Sequence, residues 1–216
     1  LSYGALLAAP FIAVFLLLSF WKNSTENYYS EIMKNDLTEG RMAFEKQLDI
    51  MCAGAFSVSN DSDLKWVYFL DGLKDGDNNI AALIRCNDML RQTFADSEHY
   101  QNYSVIMKNE LIFRKSGMVV GDKFFYDNYC TYQNTDFETW RKQSFEADTW
   151  QLFPLEEIDT GEETLQAMTF SYPVRNYIQQ EQEANAVVQF LLSKENLEQM
   201  FGQLLSRQGG ILIYDA

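Results

Sequence analysis

The sequence is poor in the residues from which most catalytic and metal centres are built. Its 216 residues include one histidine, His99, and three widely separated cysteines. This scarcity excludes a histidine-rich metal site and a disulfide-dense scaffold. A catalytic nucleophile activated by histidine would have to use His99, which lies in a loop-like stretch. The sequence also contains no nucleotide-binding or hydrolase motif. We therefore expect no enzymatic activity, no metal and no cofactor.

Positive charge is also scarce. The chain has 17 Lys and Arg residues against 31 Asp and Glu residues, which gives a net charge of −14. An acidic surface repels phosphate backbones, so we do not expect this segment to bind nucleic acid. Hydrophobic residues make up 47% and aromatic residues 15% of the chain, which excludes a largely disordered protein.

Charge is absent from the first 21 residues, LSYGALLAAPFIAVFLLLSFW. A run of roughly 20 apolar residues is long enough to cross a bilayer as a helix, and the Trp21-Lys22 pair is typical of a membrane interface. A cleaved signal peptide is the alternative, although its apolar region is usually only about 7–15 residues long. We predict a transmembrane helix at residues 1–21.

The following stretch has the apolar spacing of a long helix. Residues three, four or seven positions apart lie on the same face of a helix. Six apolar residues have this spacing here: Leu37, Phe44, Leu48, Met51, Ala55 and Val58. We predict a long membrane-linked helix and a loop over residues 22–78. The apolar face needs a partner, which is either the protein's own domain or a second copy of the helix, so a homodimer is expected.

From residue 79 the pattern alternates between helix and strand. A helix is predicted from Asn79 to about Phe94, followed by a β-hairpin whose strands, 103–108 and 111–116, flank Asn109-Glu110. A capping box at 135–138 then predicts a short helix that ends at Phe145.

The remaining stretch is rich in strand patterns. The acidic residues 146–163 are predicted to form a solvated loop. Strands are predicted at 164–173 and 186–192, with a polar turn at 175–185 between them. Ser193 is predicted to cap a helix that reaches Ser206, and a last strand, ILIY, follows Gly209-Gly210. This order predicts an α+β fold, in which a mainly antiparallel sheet is flanked by helices.

The organisation resembles the extracytoplasmic Cache sensor domains of bacterial membrane receptors, in particular the double-Cache type. The resemblance lies in TFSYPV at 169–174, NAVVQFLLSKENLEQMFGQLL at 185–205 and GGILIYDA at 209–216. It implies a PAS-like ligand-binding domain at 79–208 and the start of a truncated second Cache half at 209–216. The chain lacks an initial Met, and we interpret it as a piece of a longer protein.

The resemblance implies a small-molecule sensor outside the cytoplasm, anchored in the cell membrane. Ligand occupancy would pass through the long helix and the span to a cytoplasmic output module. That module would be an AraC-type transcription regulator or a histidine kinase of a two-component system.

The resemblance places the ligand pocket near residues 124–150 and 164–172. Aromatic side chains with an apolar body and a polar tip suit a small organic ligand, and an arginine can pair with its anionic group. The predicted ligand-binding residues are Tyr126, Tyr129, Trp140, Arg141, Trp150 and Tyr172. The alternative is that these aromatics pack the core. Because Trp140 precedes Arg141, the sequence departs from the Arg-then-Trp motif of the amino-acid-binding subgroup, and amino-acid binding is not supported.

Two other functions stay open at this stage. One is a membrane-anchored solute-binding or adhesion protein without signalling output. The other is an anchored hydrolase that would use paired acids of the acidic stretch, such as Glu156-Glu157.

Overall fold

The structure, a computed structural model, describes residues 3–67, 76–94, 102–175 and 184–201. His99, most of the turn predicted at 175–185 and the last predicted strand lie outside the described residues. The chain divides into two compact units, one formed by Leu1–Ala43 with Met200–Ala216 and the other by Phe44–Gln199.

The helices and strands form the predicted α+β arrangement. Within the described residues the helices are α1 (Tyr3–Asn60), α2 (Ser62–Val67), α3 (Gly76–Phe94), α4 (Asp122–Tyr129), α5 (Phe137–Glu146) and α6 (Lys194–Phe201). The strands are β1 (Asn102–Met107), β2 (Leu111–Arg114), β3 (Gly117–Val120), β4 (Thr131–Tyr132), β5 (Gln151–Asp159), β6 (Thr164–Val174) and β7 (Ala186–Ser193).

One antiparallel sheet contains all the strands of the described part, in the order β3-β2-β1-β7-β6-β5-β4. The predicted hairpin is confirmed, because β1 pairs with β2 and Glu110 in the connection has a φ of 66°. Strand β7 lies at the centre of the sheet and is buried at every position. Apart from Gln189, residues 186–192 of this strand are all apolar, as expected for a strand covered on both faces.

The first unit contains the N-terminal part of α1. The predicted membrane span at residues 1–21 is not confirmed: among the residues described, no helix combines the length and the apolar character needed to cross a bilayer. Large apolar side chains from Phe15 to Trp21 are nevertheless exposed.

The apolar face predicted for the long helix is present from Phe44 onward. Phe44, Met51, Ala55 and Val58 are buried, whereas Leu37 is 50% exposed. Burial of this face is therefore confirmed from Phe44 onward, and pairing of the helix with a second copy stays a prediction.

Helix α3 lies against one face of the sheet. The ring centroid of Phe94 is 4.6 Å from that of Tyr103 and 5.2 Å from that of Phe190. Phe94 also approaches α1, where a Cβ added to Gly54 would lie 3.0 Å from its ring. This face of the sheet is therefore joined to α1 through Phe94.

Helices α4 and α5 pack on the opposite face. There, large buried side chains form an apolar cluster, which includes Ile106, Ile112, Phe125, Tyr126, Tyr132, Trp140, Phe145, Ile158, Val187 and Leu191. The sheet thus separates two cores, one beneath α3 and one beneath α4 and α5.

The prediction of a solvated loop at 146–163 is wrong, because Gln151–Asp159 form strand β5. Strand β4 pairs with only two residues of β5, so most of β5 lies at an edge where polar side chains reach water. Pro154 lies where the pairing with β6 shifts register, and an edge bulge tolerates a residue that lacks an N–H.

Two helix starts also differ from the prediction. Asp136, not Thr135, caps α5, since its carboxylate accepts a hydrogen bond from the Thr139 N–H at 2.8 Å. Helix α3 begins at Gly76 rather than Asn79. The Ser193 cap is confirmed, because its Oγ accepts from the Asn196 N–H at 3.2 Å.

Candidate ligand-binding site

A row of polar residues crosses the sheet on the face beneath α4 and α5. Residues directly opposite each other in antiparallel strands share a face of the sheet. The pairings Arg114–Ser104, Ser104–Gln189, Gln189–Ser171 and Ser171–Gln151 therefore join five strands in one line. We call Arg114, Ser104, Gln189, Ser171 and Gln151 the polar row.

The centre of the polar row is buried. Gln189 and Ser171 are only 3% and 1% exposed. The Gln189 Nε2 donates a hydrogen bond to the Oγ of Ser144 on α5 at 2.9 Å. The Oγ of Ser171 has no hydrogen-bond partner among the described residues. A buried hydroxyl left in this way costs about 1–3 kcal/mol, so an apolar residue would be more stable there.

A second buried polar pair lies two residues along β6. The hydroxyl groups of Tyr132 and Thr169 are 2.8 Å apart. Burial raises the pKa of the Tyr132 phenol well above its ordinary value of 10.0, and that of the Cys130 thiol to about 12. Both groups therefore stay neutral at physiological pH.

Arg114 places a largely buried cation at one end of the polar row. Its side chain is 12% exposed, and its Nη2 lies 3.2 Å from the Oε1 of Glu162. The centre of its guanidinium is 4.0 Å from the ring centroid of Tyr129, within cation–π range. Because Glu162 is 68% exposed, solvent weakens its attraction to Arg114.

A small cavity lies between this end of the polar row and α4. Its volume is about 20 Å³, enough for roughly one water molecule. The lining residues are Asn102, Tyr103, Ser104, Arg114, Phe125, Tyr129, Cys130, Thr160, Gln189 and Leu191. The cavity thus brings a cation, amides and hydroxyls together with aromatic rings.

The turn between β5 and β6 borders this cavity. The Thr160 N–H and hydroxyl each donate to the Glu163 carbonyl at 2.9 Å. Gly161 has a φ of 75° and lies so close to the Asn128 carbonyl that a Cβ would collide with it. The turn therefore packs on the C-terminal end of α4, with Thr160 at the cavity and Glu162 on Arg114.

The structure brings together three of the predicted ligand-binding residues. Tyr126 and Trp140 are buried, with ring centroids 5.3 Å apart, and Tyr129 lines the cavity. Burial raises the pKa of Tyr126, whose hydroxyl donates to the Thr135 carbonyl. The buried Nε1 of Trp140 has no hydrogen-bond partner among the described residues.

The other three predicted residues lie elsewhere. The Trp150 ring stacks on that of Phe170, with ring centroids 5.6 Å apart. Tyr172 is two residues from Phe170 in β6 and therefore lies on the same face of the sheet. Both Trp150 and Tyr172 thus belong to the face opposite the polar row. The Nε of Arg141 lies 2.7 Å from the Oδ2 of Asp122, which ties α5 to the start of α4. These three residues therefore do not share one pocket with Tyr129.

Sequence reasoning missed Arg114, Ser104, Gln189 and Ser171. Gln189 interrupts the apolar run AVVQFLL, and that interruption was a usable signal. Arg114 ends β2, and Ser104 and Ser171 lie in strands that contain other polar residues, so they carried no comparable signal. Their alignment across the sheet depends on register between strands far apart in sequence.

In the described ranges, no group of three or more His, Cys, Asp or Glu side chains is placed to hold a metal ion. No protein-family model matches the sequence, and no curated protein matches it.

Among solved structures, the chain is similar to the periplasmic sensory domain of the Campylobacter jejuni chemoreceptor Tlp1. The TM-score is 0.49 and the sequence identity 10%, over 84% of this chain and 64% of that one. The chain therefore spans slightly less than two thirds of the length of that structure.

Proposed function

We propose that this chain is the small-molecule-binding domain of a bacterial signalling receptor that senses its ligand outside the cytoplasm. The observation that supports this proposal most directly is the polar row. Buried polar groups without full pairing are costly in a core, and they are typical of surfaces that bind a ligand. The antiparallel sheet with flanking helices is also what the resemblance to Cache sensors implies.

Strand β7 offers a route from such a site to α1. Its Gln189 belongs to the polar row, while the next residue, Phe190, contacts Phe94 on the other face. Phe94 in turn lies against Gly54 of α1. We propose that ligand binding changes the packing of β7 on α3, and that α1 passes this change to the output module. An AraC-type regulator or a histidine kinase fits that output.

Binding is tested by a thermal-shift screen of the 216-residue chain against a metabolite library, followed by calorimetry on each stabilising compound. We expect at least one compound to raise the melting temperature. The Gln189→Leu variant should lose that effect, whereas Lys142→Ala, on the exposed side of α5, should keep it. A folded chain that no compound stabilises would contradict the proposal.

Transmission is tested by hydrogen exchange on the same chain with and without the bound compound. We expect slower exchange in β7 and in residues 44–60 of α1. Protection confined to β7 and α5 would contradict transmission to α1 and leave the binding function intact.

We also propose that α1 pairs with α1 of a second copy. Tyr29, Met33 and Leu37 lie four residues apart on one face and are at least half exposed. Light scattering should give a dimer mass, and Met33→Glu with Leu37→Glu should give a monomer. A wild-type chain that stays monomeric at high concentration would contradict this pairing.

We further propose that the ligand leaves the site chemically unchanged. Burial raises the pKa of the Cys86 thiol to about 12, as it does for Cys130, so neither is a thiolate at neutral pH. Mass spectrometry of a stabilising compound after long incubation should recover only the starting molecule, and a new product would contradict this view.

A further inference from the structure

We propose that the ligand is a small organic carboxylate, and that its carboxylate replaces Glu162 as the partner of Arg114. This inference rests on the proposed binding function and adds the chemical class of the ligand.

Arg114 has more hydrogen-bonding capacity than its present partner uses. A guanidinium carries five N–H donors in a planar fork that suits two carboxylate oxygens. Among the described residues, one ion-pair contact joins it to an anion, between its Nη2 and Glu162. The ring of Tyr129 covers one face of the guanidinium, so its charge is held in a fixed orientation.

Glu162 is suited to being displaced. Its side chain is mostly exposed, so leaving Arg114 returns the Glu162 carboxylate to water at little cost. A carboxylate on a ligand with an apolar body would gain contact with Phe125, Tyr129 and Leu191, which line the same cavity. Glu162 itself provides no such contact, because its side chain points largely to solvent.

The small size of the cavity indicates that a ligand carboxylate would displace Glu162 rather than bind beside it. A volume of about 20 Å³ holds one water molecule but not a carboxylate with its carbon chain. A ligand must therefore move the turn that carries Thr160 and Glu162. This turn is connected directly to β6, which contributes Ser171 to the polar row.

The test measures binding of sodium acetate, propionate and benzoate to the 216-residue chain by calorimetry, with sodium chloride added to keep ionic strength constant. Sodium phosphate serves as an anion of different shape. We expect at least one carboxylate to bind and phosphate not to compete. Phosphate binding equal to that of the best carboxylate would overturn the assignment of the ligand class.

Two variants give opposite expected effects. Arg114→Gln should reduce carboxylate affinity at least tenfold, whereas Glu162→Gln should raise it about threefold to tenfold because it removes the internal competitor. Arg141→Gln is the matched control, since Arg141 pairs with Asp122 away from this cavity, and it should leave affinity unchanged. If Arg114→Gln does not fold, Glu162→Gln still decides the question.

If Glu162→Gln binds carboxylates no more tightly than the wild type, the proposal that a ligand carboxylate replaces Glu162 is wrong. Failure of every carboxylate to bind, while a neutral compound from the metabolite library does, would overturn this inference and leave the proposed function standing. If neither carboxylates nor library compounds bind the folded chain, both are wrong.

Discussion

Gln189 at the centre of the sheet and Ser144 on α5 are joined by one buried hydrogen bond of 2.9 Å. Both residues are almost inaccessible to water, so neither can replace its partner with solvent. The bond therefore fixes how α5 lies on β7, and it does so next to the cavity that Gln189 helps to line.

Removing one partner of this bond should cost more than removing both. Ser144→Ala leaves the buried Gln189 amide without its acceptor, and we expect the free energy of unfolding to fall by about 1–3 kcal/mol. Gln189→Leu in the same chain removes the unpaired amide. The double variant should therefore lose less free energy of unfolding than the two single variants lose together. Urea unfolding followed by circular dichroism measures all four proteins. Strictly additive losses would show that the hydrogen bond does not couple the two residues.

Much of the fold could be predicted because local patterns coincide with tertiary packing. The hairpin around Asn109-Glu110 and the mostly apolar run of β7 were both recognisable, since turn residues and continuous burial can be read from the sequence. Strand β5 was missed because an edge strand with Pro154 and several acids has the composition of a loop.

The candidate site was predicted less well than the fold. Amphipathic aromatics pointed to α4 and α5, which cover the polar row, but the same rule also selected Trp150 and Tyr172, which lie on the other face. A period of two shows which residues of one strand share a face, yet it does not say which strand lies beside it. Arg114 and Gln189 come together only through β1, and this register is a long-range property.

The turn beside Arg114 should be sensitive to any side chain at residue 161. Gly161 has a positive φ, and a Cβ there would collide with the Asn128 carbonyl, so Gly161→Ala should lower the free energy of unfolding by about 1–3 kcal/mol. Gly117→Ala is the control, because that glycine also has a positive φ but meets nothing within 4 Å. The loss at 161 should exceed the loss at 117, as measured by urea unfolding. Equal losses would mean that backbone strain alone, without the contact to α4, accounts for both.

Alkaline pH should destabilise the protein through its buried thiols. Burial, followed by the charges of Asp63 and Asp61, raises the pKa of Cys86 from 9.0 to about 12. Between these values the unfolded chain releases the proton while the folded chain keeps it, so stability falls as pH rises above about 9 and is unaffected below it. The slope is about 1.4 kcal/mol per pH unit for one such thiol.

The thiol effect can be measured by urea unfolding between pH 8 and pH 10.5 in a reducing buffer. Cys86→Ala should lose some stability at pH 8 but show a shallower decline above pH 9 than the wild type. Cys130 would still contribute its own decline in that variant, since its pKa is raised in the same way. A decline of the same steepness in both proteins would contradict the assignment to Cys86.

Gly40→Ala should destabilise the protein, whereas the same substitution at most helical glycines is stabilising. Within a helix, Gly→Ala usually stabilises by roughly 0.5–1 kcal/mol. Here the ring of Phe201 lies against Gly40, and a Cβ would overlap it, so we expect Gly40→Ala to lower the free energy of unfolding by about 1–3 kcal/mol. In a Phe201→Ala background the obstacle is gone, and the same change at Gly40 should become stabilising. Urea unfolding of the four proteins gives the comparison. An equal effect of Gly40→Ala in both backgrounds would show that the two residues do not pack together.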